Sequence, residues 1–212
     1  MPNTVSSLTT SRVAAAVERA LDDRQREATE EVEHILAAAV RVMERVAPEA
    51  PRVSDIVAEA ASSNKAFYRY FAGKDDLILA VMERGVGIVV SYLQHQMDKE
   101  SMPQHKVARW IEGTLAQVAD PHLISMSRAA AGQMSATTNR RAVDREMMRP
   151  LRDLLIEPIA ALGSSTDVDR DVEAVFCCTA AAMRRYVGSA DRPGPDDIAH
   201  LVGFCLRGLG IS

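Results

Sequence analysis

The chain of 212 residues is poor in several features that would each mark a familiar class of protein. It has three cysteines, an odd number, so it carries no disulfide framework and fits a reducing cytoplasm. Aromatic residues make up 4% against 47% hydrophobic residues, so any core must come mainly from Ala, Val, Leu, Ile and Met. Eleven glycines and nine prolines leave no room for a collagen-like repeat or a long low-complexity tract. Apolar runs fall far short of the roughly 20 residues that a membrane span needs. The opening stretch, Met1 to Thr10, has neither the basic nor the apolar segment of a signal peptide. Positive charge is not in excess either: 25 Lys and Arg face 29 Asp and Glu, a net charge of -4. That balance argues against a general polyanion binder. The expectation is a soluble cytoplasmic protein of one or two domains, with no membrane partner.

What the chain does have is helical spacing in nearly every long segment and no sustained alternation of period two. Val13, Ala16, Val17, Ala20 and Leu21 predict a short amphipathic helix. A second helix is predicted from Arg26 to Ala47, ended by Pro48 and Pro51. Short helices follow over Val53–Ala60 and Asn64–Phe71. A long one starts at Gly73-Lys74-Asp75-Asp76, where acidic residues suit a first turn, and runs to about Lys99. Later helices are predicted near Gln104–Ala119, His122–Ala136 and Arg140–Leu162, the last kinked or split by Pro150 and Pro158. Asp167–Val187 and a final helix after Pro195 complete an all-α chain.

Residues 53–77 hold the chemistry. Two helices of about two turns, joined by small residues, form a helix-turn-helix. Ile56, Val57 and Ala60 would face inward, with Phe67 and Tyr70 or Phe71 set against Leu36, Ala39 and Val40. The second helix then exposes Ser63, Asn64, Lys65, Tyr68 and Arg69. Asn and Lys side chains reach base edges, and Lys, Arg, Ser and Tyr reach phosphates. Between Arg52 and Lys74 four basic residues face two acidic ones, so the positive charge is local.

The pattern Ile35-Leu36-x-Ala38-Ala39, then Val53-Ser54-x-Ile56, then Tyr68-x-Tyr70-Phe71-x-x-Lys74-x-x-Leu77 resembles the DNA-binding domain of the TetR family of bacterial transcriptional regulators. The match covers about residues 32–80. The resemblance implies an N-terminal three-helix DNA-binding domain over 30–76, after an extension over 1–29. A larger helical ligand-binding and dimerisation domain would occupy 77–212. It further implies that Ser54 caps the first motif helix and touches phosphate, and that Ser63, Asn64, Lys65 and Ala66 open the base-reading helix. Tyr68 and Tyr70 resemble paired positions of which one contacts phosphate, and Lys74 resembles the phosphate-binding lysine of the fourth helix. The chain departs from the family at Ala61, in place of the usual turn glycine, and at Ser62, in place of an apolar residue. Lys65 and Ala66 stand where Gly or Thr is usual, and Glu30, Glu31 and Glu33 stand where basic residues are common. The extension reads as an added helix, a DNA-contacting arm or a frayed tail.

The resemblance also implies a ligand cavity among the middle helices. Leu93, Met97, Trp110, Met126, Met134, Met147, Leu151, Leu155 and Phe176 would line it, with Arg128, His122 or Tyr186 as a polar anchor. Methionine suits such adaptable apolar sites, and plain core packing is the alternative. Two apolar stripes, from Val172 to Val187 and from Ile198 to Leu206, would pair two copies into a homodimer through the last two helices, or else close the chain's own bundle. Such a dimer would bind a palindromic double-stranded operator, with an unidentified small-molecule effector. No cofactor is implied. The five histidines show no metal-site spacing, and no nucleophile–base pair suggests catalysis. Cys177-Cys178 reads as a buried pair or a thiol sensor. The expected function is a repressor released from its operator by a small, mainly apolar ligand. Rivals are a sensor dimer that has lost DNA binding and a small enzyme using a Cys or His.

Overall fold

The computed structural model describes residues 11–46, 49–119, 140–164, 166–187 and 189–211. Among these residues there are nine helices and no strand. They are α1 (Arg12–Val46), α2 (Val53–Glu59), α3 (Asn64–Tyr70), α4 (Lys74–Met97) and α5 (Pro103–Ala119). After them come α6 (Arg140–Asp153), α7 (Ile156–Ala161), α8 (Val168–Val187) and α9 (Pro195–Gly208). The helix expected over His122–Ala136 lies outside the described residues.

Two apolar clusters organise the chain. Ile35, Leu36, Ala39, Val42 and Met43 of α1 meet Ile56 and Val57 of α2, Phe67 of α3, Phe71, and Leu77 and Val81 of α4. The larger cluster gathers Leu93 and Met97 of α4 with Val107, Trp110, Ile111 and Leu115 of α5, then residues from α6 to α9. Ile78 and Met82 pack with Met147 in a third, smaller cluster that ties α4 to α6. Helix α4 therefore belongs to all three.

Residues 12–30 are helical, as the front of a single 35-residue α1, instead of a separate short helix or a frayed tail. The segment contains no Gly or Pro and is rich in Ala, Arg and Glu, so nothing interrupts the hydrogen-bond ladder. Val13, Val17 and Leu21 are 72%, 54% and 58% exposed, so this part does not pack on the helix-turn-helix.

The expected split between Pro150 and Pro158 falls at Leu154–Leu155. The Leu155 amide turns back to the Arg152 carbonyl at 3.0 Å. Pro158 then stands third in α7, where an amide would have no helical partner. The Leu151 carbonyl, just before the break, accepts the Trp110 indole N–H at 2.9 Å.

Candidate nucleic-acid interface

Helix α3 starts from Ser63, whose Oγ accepts the Ala66 amide at 3.1 Å. Its hydroxyl is thus the cap of the helix. Ser54 does not cap α2, which was the expectation. The N-cap is Arg52, without a side-chain cap, and Ser54 is the second helical residue, its Oγ donating to Asp55 Oδ1 at 3.3 Å.

The turn between α2 and α3 keeps a shape suited to glycine although it has none. Ala61 sits at φ +48°, in the left-handed region, where a Cβ costs about 1–2 kcal/mol. Beside it the Ser62 Oγ is buried without a hydrogen-bond partner among the described residues. Both departures from the family therefore carry a penalty. Ala61→Gly and Ser62→Ala should each raise stability by about 1 kcal/mol, read as a higher midpoint of thermal unfolding. A fall in midpoint for Ala61→Gly would show that the turn is unstrained.

Phe67 is fully buried and Ala66 nearly so, which points the other face of α3 outward. Asn64, Lys65 and Tyr68 are exposed there, Tyr68 at 61%. Arg69 and Tyr70 are turned elsewhere. The Tyr70 hydroxyl donates to Glu31 Oε2 at 2.7 Å, and Arg69 reaches the same oxygen at 3.4 Å and the Tyr70 hydroxyl oxygen at 3.3 Å. The bond to the Glu31 carboxylate holds the Tyr70 phenol above its ordinary pKa. Of the two tyrosines, Tyr68 sets its ring edge-to-face with Phe67 and has no hydroxyl partner among the described residues.

Other acids are drawn away from this face. Glu59 receives Arg41 at 2.8 Å and Arg45 at 3.0 Å, and those hydrogen bonds lower its pKa. Glu33 pairs with Arg84 at 2.6 Å. Lys74 opens α4 and has no ion pair among the described residues. The loop before it is fixed by the Ala72 amide, which donates to Asp76 Oδ2 at 2.9 Å. The face thus presents Asn64, Lys65 and Tyr68, with the cations Arg52 and Lys74 at the starts of α2 and α4.

Of the residues expected to line a ligand cavity, Leu93, Met97, Trp110, Leu151 and Leu155 share the larger core, and Phe176 packs on it with its ring 6.2 Å from that of Trp110. Met147 belongs to the small cluster with Ile78 and Met82. Met126, Met134, His122 and Arg128 lie outside the described residues. Val172, Val175 and Thr179 are buried in the chain's own bundle, so at these positions the α8 stripe expected to pair two copies is intramolecular. On the outside of α9, Phe204 is 55% exposed. Cys177 is exposed and Cys178 half-buried, so the two are not a buried pair. The Cys177 thiol donates to Glu173 Oε1 at 3.3 Å, and partial desolvation together with that bond raises its pKa. Cys178 instead faces Cys205, whose pKa burial pushes up to about 11. Neither shifted thiol is disposed to ionise at neutral pH.

Residues 35–81 match the sequence model of the bacterial regulatory proteins of the tetR family. No curated protein matches the chain by sequence. Solved structures do match it by fold. One is the fatty acid degradation regulator FadR from Bacillus halodurans, at 20% identity and a TM-score of 0.64, covering 84% of this chain and 96% of that one. FadR from Bacillus subtilis, in complex with stearoyl-CoA, gives 17% identity, the same coverages and a TM-score of 0.64. RolR in complex with resorcinol gives 16% identity, coverages of 89% and 91%, and a TM-score of 0.63. Residues 35–81 thus carry the sequence pattern of the tetR-family DNA-binding domain, and the chain shares the fold of these solved regulators.

Proposed function

We propose that the chain is a homodimeric, ligand-responsive transcriptional regulator: a repressor that binds a palindromic operator and is released by a small, mainly apolar ligand. Residues 30–76 are the DNA-binding domain in this reading, after an extension over 1–29. Residues 77–212 bind the ligand and pair the copies through the last two helices. The observation that carries it is the outward face of α3, where Asn64, Lys65 and Tyr68 stand exposed on a helix whose opposite side is locked into the core. Bound stearoyl-CoA in Bacillus subtilis FadR and resorcinol in RolR lend support to a ligand-responsive role. Ligand would act by shifting the population toward a spacing of the two DNA-binding domains that no longer fits successive major grooves.

Roles within the site divide by chemistry. Asn64 and Lys65 read bases. Tyr68 and Lys74 bind phosphate, as Ser54 and Ser63 do at the starts of their helices. Arg69 and Tyr70 reach phosphate only by giving up Glu31. Selection from random duplexes at low salt should return a two-fold symmetric sequence, and Asn64 or Lys65 substitutions should change it. Lys74→Ala should weaken binding to all sequences alike and flatten the salt dependence by about one unit of slope. An unchanged slope would remove Lys74 from the phosphate contacts. Failure to select any duplex would favour a sensor dimer of the same fold without DNA binding.

A further inference from the structure

A cleft of about 270 Å³ opens between α5, α8 and α9; of the residues expected to bind a ligand, it includes Tyr186, a candidate polar anchor, and none of the expected apolar lining. Leu115, Ala182, Pro193 and Leu201 make its apolar walls. Tyr186 also lines it and is only 6% exposed, yet its hydroxyl has no hydrogen-bond partner among the described residues. Ser62 Oγ is the one buried polar side-chain atom without a partner among the described residues, so the Tyr186 ring is buried while its hydroxyl meets solvent and is free for a ligand. On the α8 side the Arg185 guanidinium lies 5.5 Å from the centre of the Tyr186 ring.

The α9 side is acidic. Asp197 is occupied as the cap of α9, accepting the Gly194 amide at 3.0 Å. Asp196 has no ion pair or hydrogen bond among the described residues, and His200, one turn further along α9, shares the cleft. Two carboxylates line the cleft against one guanidinium, and the guanidinium rests on the α8 side, against the Tyr186 ring.

We propose that this cleft is a binding site for a small amphipathic amine. The ammonium group sits at Asp196, a hydrogen bond reaches the Tyr186 hydroxyl, and an apolar body lies against Leu115, Pro193 and Leu201. The space is slightly below the range of drug-sized pockets, which sets the ligand at about ten non-hydrogen atoms. The inference concerns binding alone and does not depend on the chain recognising DNA.

Phenethylamine, titrated calorimetrically into the full chain, tests it against phenylethanol and phenylpropionate, which keep the ring and change the head group. The amine should bind with one-to-one stoichiometry and the alcohol at least about tenfold more weakly. Asp196→Asn and Tyr186→Phe should each weaken the amine about fivefold. Tyr186→Phe should leave the thermal midpoint unchanged, because the hydroxyl has no partner in the free protein, and Asp196→Asn should lower it only slightly, through the first turn of α9. Ala182→Leu, which fills the cleft from its wall, should abolish binding. Equal binding of amine and alcohol, preference for the acid, or amine binding that survives both Asp196→Asn and Ala182→Leu would overturn the proposal. Selection of an operator duplex, scored separately, decides the DNA-binding role whatever the amine does.

Discussion

Trp110→Ala should cost about 3–5 kcal/mol of stability, at the upper end of what a single core truncation costs. Trp110 is 1% exposed at the centre of the larger core, so its removal leaves a cavity that neighbours on several helices would have to close. A second loss accompanies the cavity. The indole N–H is the donor to the Leu151 carbonyl at the break between α6 and α7, and alanine leaves that oxygen without it. Trp110→Phe separates the two contributions, since phenylalanine retains most of the apolar volume and cannot donate; its cost should be about 1–3 kcal/mol. Urea denaturation followed by far-ultraviolet circular dichroism measures both. A negligible cost for Trp110→Phe would show that the Leu151 bond does not hold the break together.

Gly113→Val should also be damaging, at about 1–3 kcal/mol from overpacking. A Cβ built on Gly113 would lie 2.5 Å from Leu93 Cδ2 and 3.3 Å from Tyr92 Cε1. Leu93 is fully buried, so it cannot swing clear without displacing the core. Gly113→Ala should be milder, because relief of glycine's helix penalty, about 1 kcal/mol, offsets part of the clash. Thermal unfolding of the three proteins should rank glycine first, then alanine, then valine. Equal stability of all three would mean that the contact between α4 and α5 is loose.

The sequence made the helix-turn-helix legible because its determinants are local. Ile56, Val57 and Phe67 lie within twelve residues of one another, and the Tyr68-to-Leu77 string fixes the approach to α4. What it hid depended on distance along the chain. Glu31 captures Arg69 and Tyr70 across 38 and 39 positions, and no pattern around Arg69 announces that. The identity of the capping serine was also obscure, since Ser54 and Ser63 both stand near the start of short apolar runs, and only Ser63 falls in the register that precedes its helix. Periodicity placed Val172, Val175 and Thr179 on one face of α8 without saying whether that face met its own chain or a second copy. The cleft over Tyr186 was illegible because Leu115, Ala182 and Asp196 belong to three helices brought together only by folding.

The membership of α4 in every cluster has a geometrical consequence. Its 24 residues span about 36 Å, with Leu77 and Val81 fixed in one core and Leu93 and Met97 in the other. Such a rod is a lever arm. A tilt of about 5° pivoting at the Met97 end carries Lys74 through about 3 Å, close to the 3.4 Å spacing of successive base pairs. A displacement smaller than one side chain in the larger core is therefore enough to move the start of α4 by a full step along a duplex.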